Sequence, residues 1–184
     1  AVLRNHTVEK NDLFNIIPHA IRTDIEINYN TAHLITYIIN KKTVNYHIYE
    51  KTELNSRTID NMIYKMNLWL SIATEQANNE CSNKLDIHLF LTDHKKITPE
   101  QDKPVDRIHA NTAFTTSCSQ HNRVYIYRKE EWFKVFIHET FHCLGLDFSH
   151  MDVRESNAII NNIFSTNIAD IRLYESYCET WAET

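Results

Sequence analysis

Apolar positions change period along the chain, and each change predicts an element. Ile59, Ile63, Met66, Leu70 and Ala73 recur at helical spacing, so Thr58 to Ala77 reads as a long amphipathic helix. His33 to Ile39 and Thr43 to Tyr49 are rich in β-branched and aromatic residues around Asn40-Lys41-Lys42, a hairpin pattern. Leu85 to Leu91 reads as a further strand, and Ala110 to Thr115 and Arg123 to Tyr127 as two shorter ones. Asp12 to Ile21 has a helical pattern interrupted by Pro18. His94 to Asp106, with Pro99 and Pro104, reads as a loop. Lys129 to Leu144 reads as a helix ended by Gly145, with Trp132 to Ile137 nearly all apolar, and helices are expected near Val153 to Phe164 and Ile168 to Ala182.

This mixed order predicts one α+β domain over residues 1–184, with an N-terminal lobe to about 145 and a helical lobe from about 146. No repeat or low-complexity tract divides it. With 42% hydrophobic and 23% charged residues, the composition is that of a soluble globular protein, and no apolar run reaches the roughly 20 residues of a membrane span. A net charge of -5 argues against nucleic acid and anionic membranes as partners. Ala1 opens the chain without a signal-peptide pattern, so a leader was removed or never present, and Glu183-Thr184 ends it inside a helical pattern, so the natural chain is free to be longer. Cys81, Cys118, Cys143 and Cys178 form no CxxC pair and read as reduced, buried thiols of an intracellular protein. The single glycine, amid abundant Asn, Ile and Lys, points to A/T-rich coding and makes its position informative.

That glycine closes His138-Glu139-Thr140-Phe141-His142-Cys143-Leu144-Gly145, an HExxH motif. Residues four apart lie on one helix face about 6 Å apart, so two imidazoles can grip one ion, Zn²⁺ above all. Glu139 stands beside them as a general base for a water made nucleophilic by the metal. On so apolar a helix, two imidazoles and a carboxylate need a partner, which a cation supplies. Gly145 sits where a left-handed C-cap is wanted.

A catalytic zinc normally has three protein ligands, leaving two alternatives for the third. Asp147 and His150 flank position 148, where HExxHxxGxxH would place a histidine and this chain has Phe148. Otherwise the ligand comes from the last helix, whose apolar stripe is Ile171, Tyr174, Cys178 and Trp181. Glu175 stands at its shoulder, and Glu179, one turn on, is placed to orient a ligand histidine. Glu183 reads as solvated.

HExxH followed on a later helix by a glutamate resembles the gluzincin branch of zinc peptidases, and Glu175 to Ala182 is similar to the glutamate helix of small zincin-type peptidases. The glycine-poor, Asn-rich chain is similar in flavour to uncharacterised HExxH proteins of large DNA viruses, which would make it virion-associated. The resemblance implies a zincin-like small mixed sheet with a buried HExxH helix, His138, His142 and Glu175 as zinc ligands, Glu139 as general base, and Glu179 supporting a zinc histidine. It implies a peptide or protein substrate paired along an edge strand at Asn111 to Thr115, with Asn111 and Ala113 touching it. His150, Tyr174 and Tyr177 are candidate oxyanion donors, and Phe141, Phe148 and Trp181 a candidate apolar pocket. The alternative is a non-catalytic binding or structural protein that keeps its metal for stability.

Overall fold

A sharp two-residue turn organises the first half of the fold. Asn40 and Lys41 both take positive φ, +46° and +68°, and join β2 (Thr31–Ile39) to β3 (Lys42–Glu50) as the expected hairpin. Mirror-image turns of this kind match the twist of paired strands, and Asn tolerates the conformation better than most residues. The computed structural model describes residues 2–5 and 12–184. The domain's start at residue 1 therefore lies outside the described residues.

The other strands are β1 (Val2–Asn5), β4 (Lys84–Thr92), β5 (Ala113–Thr115) and β6 (His121–Arg128). They form one mixed six-stranded sheet in the order β1-β2-β3-β4-β6-β5. The β3, β4 and β6 strands run parallel, while β5 lies antiparallel to β6 at the edge. Parallel strands need long crossovers, and α2 (Ser56–Gln76) supplies the one from β3 to β4. Its stripe of Ile59, Ile63, Met66 and Leu70 packs with Phe136 and Leu144 of α4 (Trp132–Leu144) on one sheet face. The opposite face buries Tyr49, Phe90 and Tyr125 beneath Phe14, Ile17, Ile21 and Ile25. Burial on both faces keeps Leu85 to Phe90 of β4 buried without a break, Asp86 and His88 included. An α+β domain is what the pattern predicted.

Three local expectations are corrected. Pro18 does not interrupt a helix; it starts one, because the first turn has no use for the N–H that proline lacks. A 3-10 turn at Phe14–Ile16 precedes it, and α1 runs from His19 to Asn28. Ala110 belongs to a short helix, α3 (Arg107–Ala110), capped by Asp106, so the strand there begins only at Ala113. After α5 (Arg154–Phe164), the last helix, α6 (Leu173–Glu183), starts later than expected. Ile171 therefore lies outside it, and its apolar stripe begins at Tyr174.

The fourth correction concerns the thiols. Cys81 and Cys118 form a disulfide, whereas Cys143 and Cys178 are free and buried. Parallel pairing sets Lys84 beside His121, and each cysteine lies three residues before its member of that pair. The register thus delivers the two sulfurs to one place. This pairing removes the basis for an intracellular reading, since disulfides persist mainly in oxidising surroundings. No helix among the described residues is long and apolar enough to cross a membrane.

Closing a chain segment with a sequence separation of 37 removes enough disorder from the unfolded state to stabilise the fold by about 4 kcal/mol. Replacing both Cys81 and Cys118 by Ser is accordingly expected to lower the unfolding free energy by about 3–4 kcal/mol in a urea titration. An unchanged midpoint would show that the pair contributes nothing.

Candidate metal centre

Helix α4 ends where its only glycine demands. Gly145 takes φ +67°, its N–H donates to the His142 carbonyl, and the Leu146 N–H reaches back to Phe141. A Cβ on Gly145 would lie 2.9 Å from Cys81 Sγ, so space as well as conformation excludes a side chain. The disulfide thus buttresses the helix end one turn beyond the motif. Ser82 Oγ donates to the Cys143 carbonyl, and the Asn78 N–H to that of Leu144. These bonds satisfy carbonyls that a helix end leaves unpaired.

On this anchored helix His138 and His142 face the same side. Their Nε2 atoms are 3.2 Å apart, and Glu175 Oε2 from α6 lies 3.1 Å from the first and 3.3 Å from the second. The remote nitrogens are engaged too: His142 Nδ1 meets Asp147 Oδ2 at 2.6 Å, and His138 Nδ1 meets Glu179 Oε2 at 3.1 Å. A carboxylate only accepts, so each Nδ1 carries a proton, and the two Nε2 atoms converge on Glu175 Oε2, each either donating a second proton there or, in a neutral ring, aiming a lone pair. Three converging lone pairs repel unless positive charge sits among them. Bond lengths of about 2.0–2.1 Å around tetrahedral zinc put neighbouring donors about 3.3 Å apart. The observed triangle matches that spacing, so the donor set fits a zinc ion.

The titration behaviour expresses the same demand for positive charge. Hydrogen bonds from His138 and His142 hold the Glu175 carboxyl far below the usual range, outweighing burial. Burial lowers the histidine pKa values, yet the partners more than reverse this and raise both: Glu175 and Glu139 for His138, and Cys178, Glu175 and Asp147 for His142. Glu139 differs. Dense protein around its carboxyl pushes its pKa up to about 7 against the pull of both histidines, with the Glu175 charge adding to the rise. A carboxylate so tuned can take up and release a proton near neutrality.

The triangle opens on a cavity of about 610 Å³ that Glu139 also lines. Residues Asn111 and Ala113, expected to touch substrate, both lie in its wall, and the strand to which Ala113 belongs is at the sheet edge. Tyr174 lines the cavity, with its ring edge-on to His142.

Several site expectations change. Asp147 is not placed as a third ligand: at 2.6 Å its oxygen is too close to Nδ1 for a metal to lie between. It is instead an acceptor that orients His142, and Ser149 Oγ in turn donates to Asp147 at 2.9 Å. His150 is exposed and joins neither His/Cys/Asp/Glu group close enough to hold an ion. The second such group, His142 with Asp147 and Cys178, would draw on the nitrogen already bonded to Asp147. Like Tyr177, the candidate pocket residues Phe141, Phe148 and Trp181 do not line this cavity. Their rings cluster with Tyr177, and Phe141 also stacks on Trp69, which docks α6 against α4. Glu183 is exposed, as expected, and Lys134 Nζ reaches it at 2.8 Å.

Lys134 itself escaped the sequence reading. It lies one turn before His138, and its ammonium donates to Glu179 Oε1 at 2.7 Å while Glu179 Oε2 engages His138. A lysine four residues before the motif's first histidine was the available signal, but its partners are on another helix. No protein-family model, curated protein or solved structure matches this chain.

Proposed function

We propose that this protein is a zinc-dependent metallopeptidase of zincin type that hydrolyses peptide bonds in peptide or protein substrates. The single observation carrying the reading is the triangle of His138 Nε2, His142 Nε2 and Glu175 Oε2, with edges of 3.1–3.3 Å, opening on a cavity that Glu139 shares. His138, His142 and Glu175 hold the ion. When bound, zinc supplies Lewis acidity, polarising the scissile carbonyl and making water nucleophilic near neutral pH.

The chain's own groups do the rest. Glu139 takes the proton from the attacking water and passes it to the leaving amine, a task suited to a pKa of about 7. Asp147 and Glu179 hold the two imidazoles in one tautomer and orientation. Strand β5 offers its open edge to an extended substrate, so backbone pairing supplies affinity independently of side-chain identity. Tyr174 is the oxyanion donor, because of the three candidates it alone lines the cavity. The mixed sheet, buried motif helix and antiparallel edge strand support a zincin-like architecture. A non-catalytic metal site has less support, because it would use neither Glu139 nor the cavity.

Metal analysis of the purified native protein should find one equivalent of zinc. A mixed peptide library should be cleaved, cleavage should stop with chelator, and it should return with zinc. Absence of any bound transition metal would overturn the reading. Bound zinc without cleavage would favour the structural alternative.

A further inference from the structure

Helix α6 carries a stripe of acids that resists helix formation. Glu175, Glu179 and Glu183 are spaced four apart, so they share one face and repel one another along it. Opposite them α4 presents Lys134, His138 and His142, also spaced four apart. The helices run antiparallel and the stripes interleave. Glu183 meets Lys134, Glu179 meets Lys134 and His138, and Glu175 meets His138 and His142. Of the three groups on α4, only Lys134 carries its charge without a metal or an added proton. Burial lowers its pKa, yet hydrogen bonds to Glu179 and Glu183 more than reverse this. The ammonium donates to Glu179 Oε1 at 2.7 Å and to Glu183 Oε1 at 2.8 Å, with Glu131 Oε1 of its own helix at 3.6 Å. Two of the three glutamates on α6 are thereby taken. Glu175 pairs with no lysine or arginine among the described residues, only with the two histidines.

We infer that Lys134 is a positioning residue that reserves Glu175 for the metal and, through Glu179, fixes the ring of His138. This rests on the metal reading above and adds a residue outside the donor set. A glutamate recurs at each turn of α6, so the helix could offer more than one of them to the ion. Sliding α6 by one turn, about 5.4 Å, would bring Glu179 to the imidazoles in place of Glu175. Lys134 opposes that slip, because its bonds to Glu179 and Glu183 would both have to break. Its second role is finer. Glu179 bonds the ammonium with one oxygen and His138 Nδ1 with the other, so the lysine fixes the carboxylate that orients the ring. With its side chain only 20% exposed, Lys134 is less screened than a cation on the open surface. Its grip on α6 matters the more because that helix completely buries no residue except Cys178.

Zinc affinity of the full chain, measured against a chromogenic chelator, tests this. Lys134→Met keeps the apolar stem and removes the charge. It should weaken zinc binding by about tenfold or more with an unchanged circular dichroism spectrum, as loss of a partner that orients a ligand histidine does. Lys134→Arg keeps a cation of similar reach and should recover most of that loss. Glu179→Gln should also weaken binding. Combined with Lys134→Met, it should cost clearly less than the product of the two separate factors, because the lysine acts through that carboxylate. The visible spectrum of the cobalt-substituted protein should change with Lys134→Met and not with Lys134→Arg, a signature of altered donors that lost stability alone would not produce. Wild-type affinity in Lys134→Met, or factors that multiply fully in the double variant, would overturn the inference while leaving the metal reading intact. Failure of the wild type itself to bind zinc would remove the metal reading and the inference with it.

Discussion

Glu139→Gln is expected to leave zinc content unchanged and to reduce peptide hydrolysis by about a thousandfold or more, within the range general acid–base catalysis supplies. The amide keeps the size and the hydrogen-bonding reach of the carboxylate but cannot accept a proton. The three proposed metal donors are other residues, so stoichiometry by elemental analysis should remain at one. Glu139 is tuned by the protein surrounding it, which holds its pKa at about 7, between the demands of taking a proton and returning it. Initial rates on a cleaved peptide, with zinc measured on the same samples, check this directly. A variant retaining a tenth of the wild-type rate would remove Glu139 from the proposed chemistry, whatever the metal does.

Glu175→Ala should weaken zinc binding by on the order of a hundredfold or more, read by competition against a chromogenic chelator. Partners that merely orient a ligand histidine typically cost 10–100-fold when removed, and loss of the ligand itself should exceed that. Asp147→Asn therefore serves as the inner comparison and should fall below Glu175→Ala in effect. The expectation rests on charge as well as geometry. Removing the carboxylate leaves two imidazole lone pairs 3.2 Å apart with no anion to balance a dication. Equal affinities for wild type and Glu175→Ala would return the third ligand to an open question.

How much could be read from residues alone depended on the distance over which each feature is decided. The β2–β3 hairpin and the α2 and α4 helices were legible, because turn residues and periodic apolar positions are local. The motif histidines and Gly145 were legible for the same reason. Glu175 and Glu179 were visible as helical positions, but only packing of α6 on α4 brings them to His138. The disulfide was hidden, since Cys81 and Cys118 meet only through the parallel register of β4 with β6. The contact between Phe141 and Trp181 was not legible, because an aromatic face suits a pocket and a helix–helix contact equally, and only the packing of α6 on α4 brings the two rings together. Lys134 was missed because its closest partners, Glu179 and Glu183, lie on another helix.

The eleven residues of α6 bury only Cys178 completely, yet they carry Glu175. Under the proposed reading, a segment that adds little to the core is indispensable for chemistry. Proteolytic trimming before Leu173 would leave the sheet, its disulfide and the HExxH helix in place as an inert body. One cut there would then silence the proposed activity without unfolding the domain.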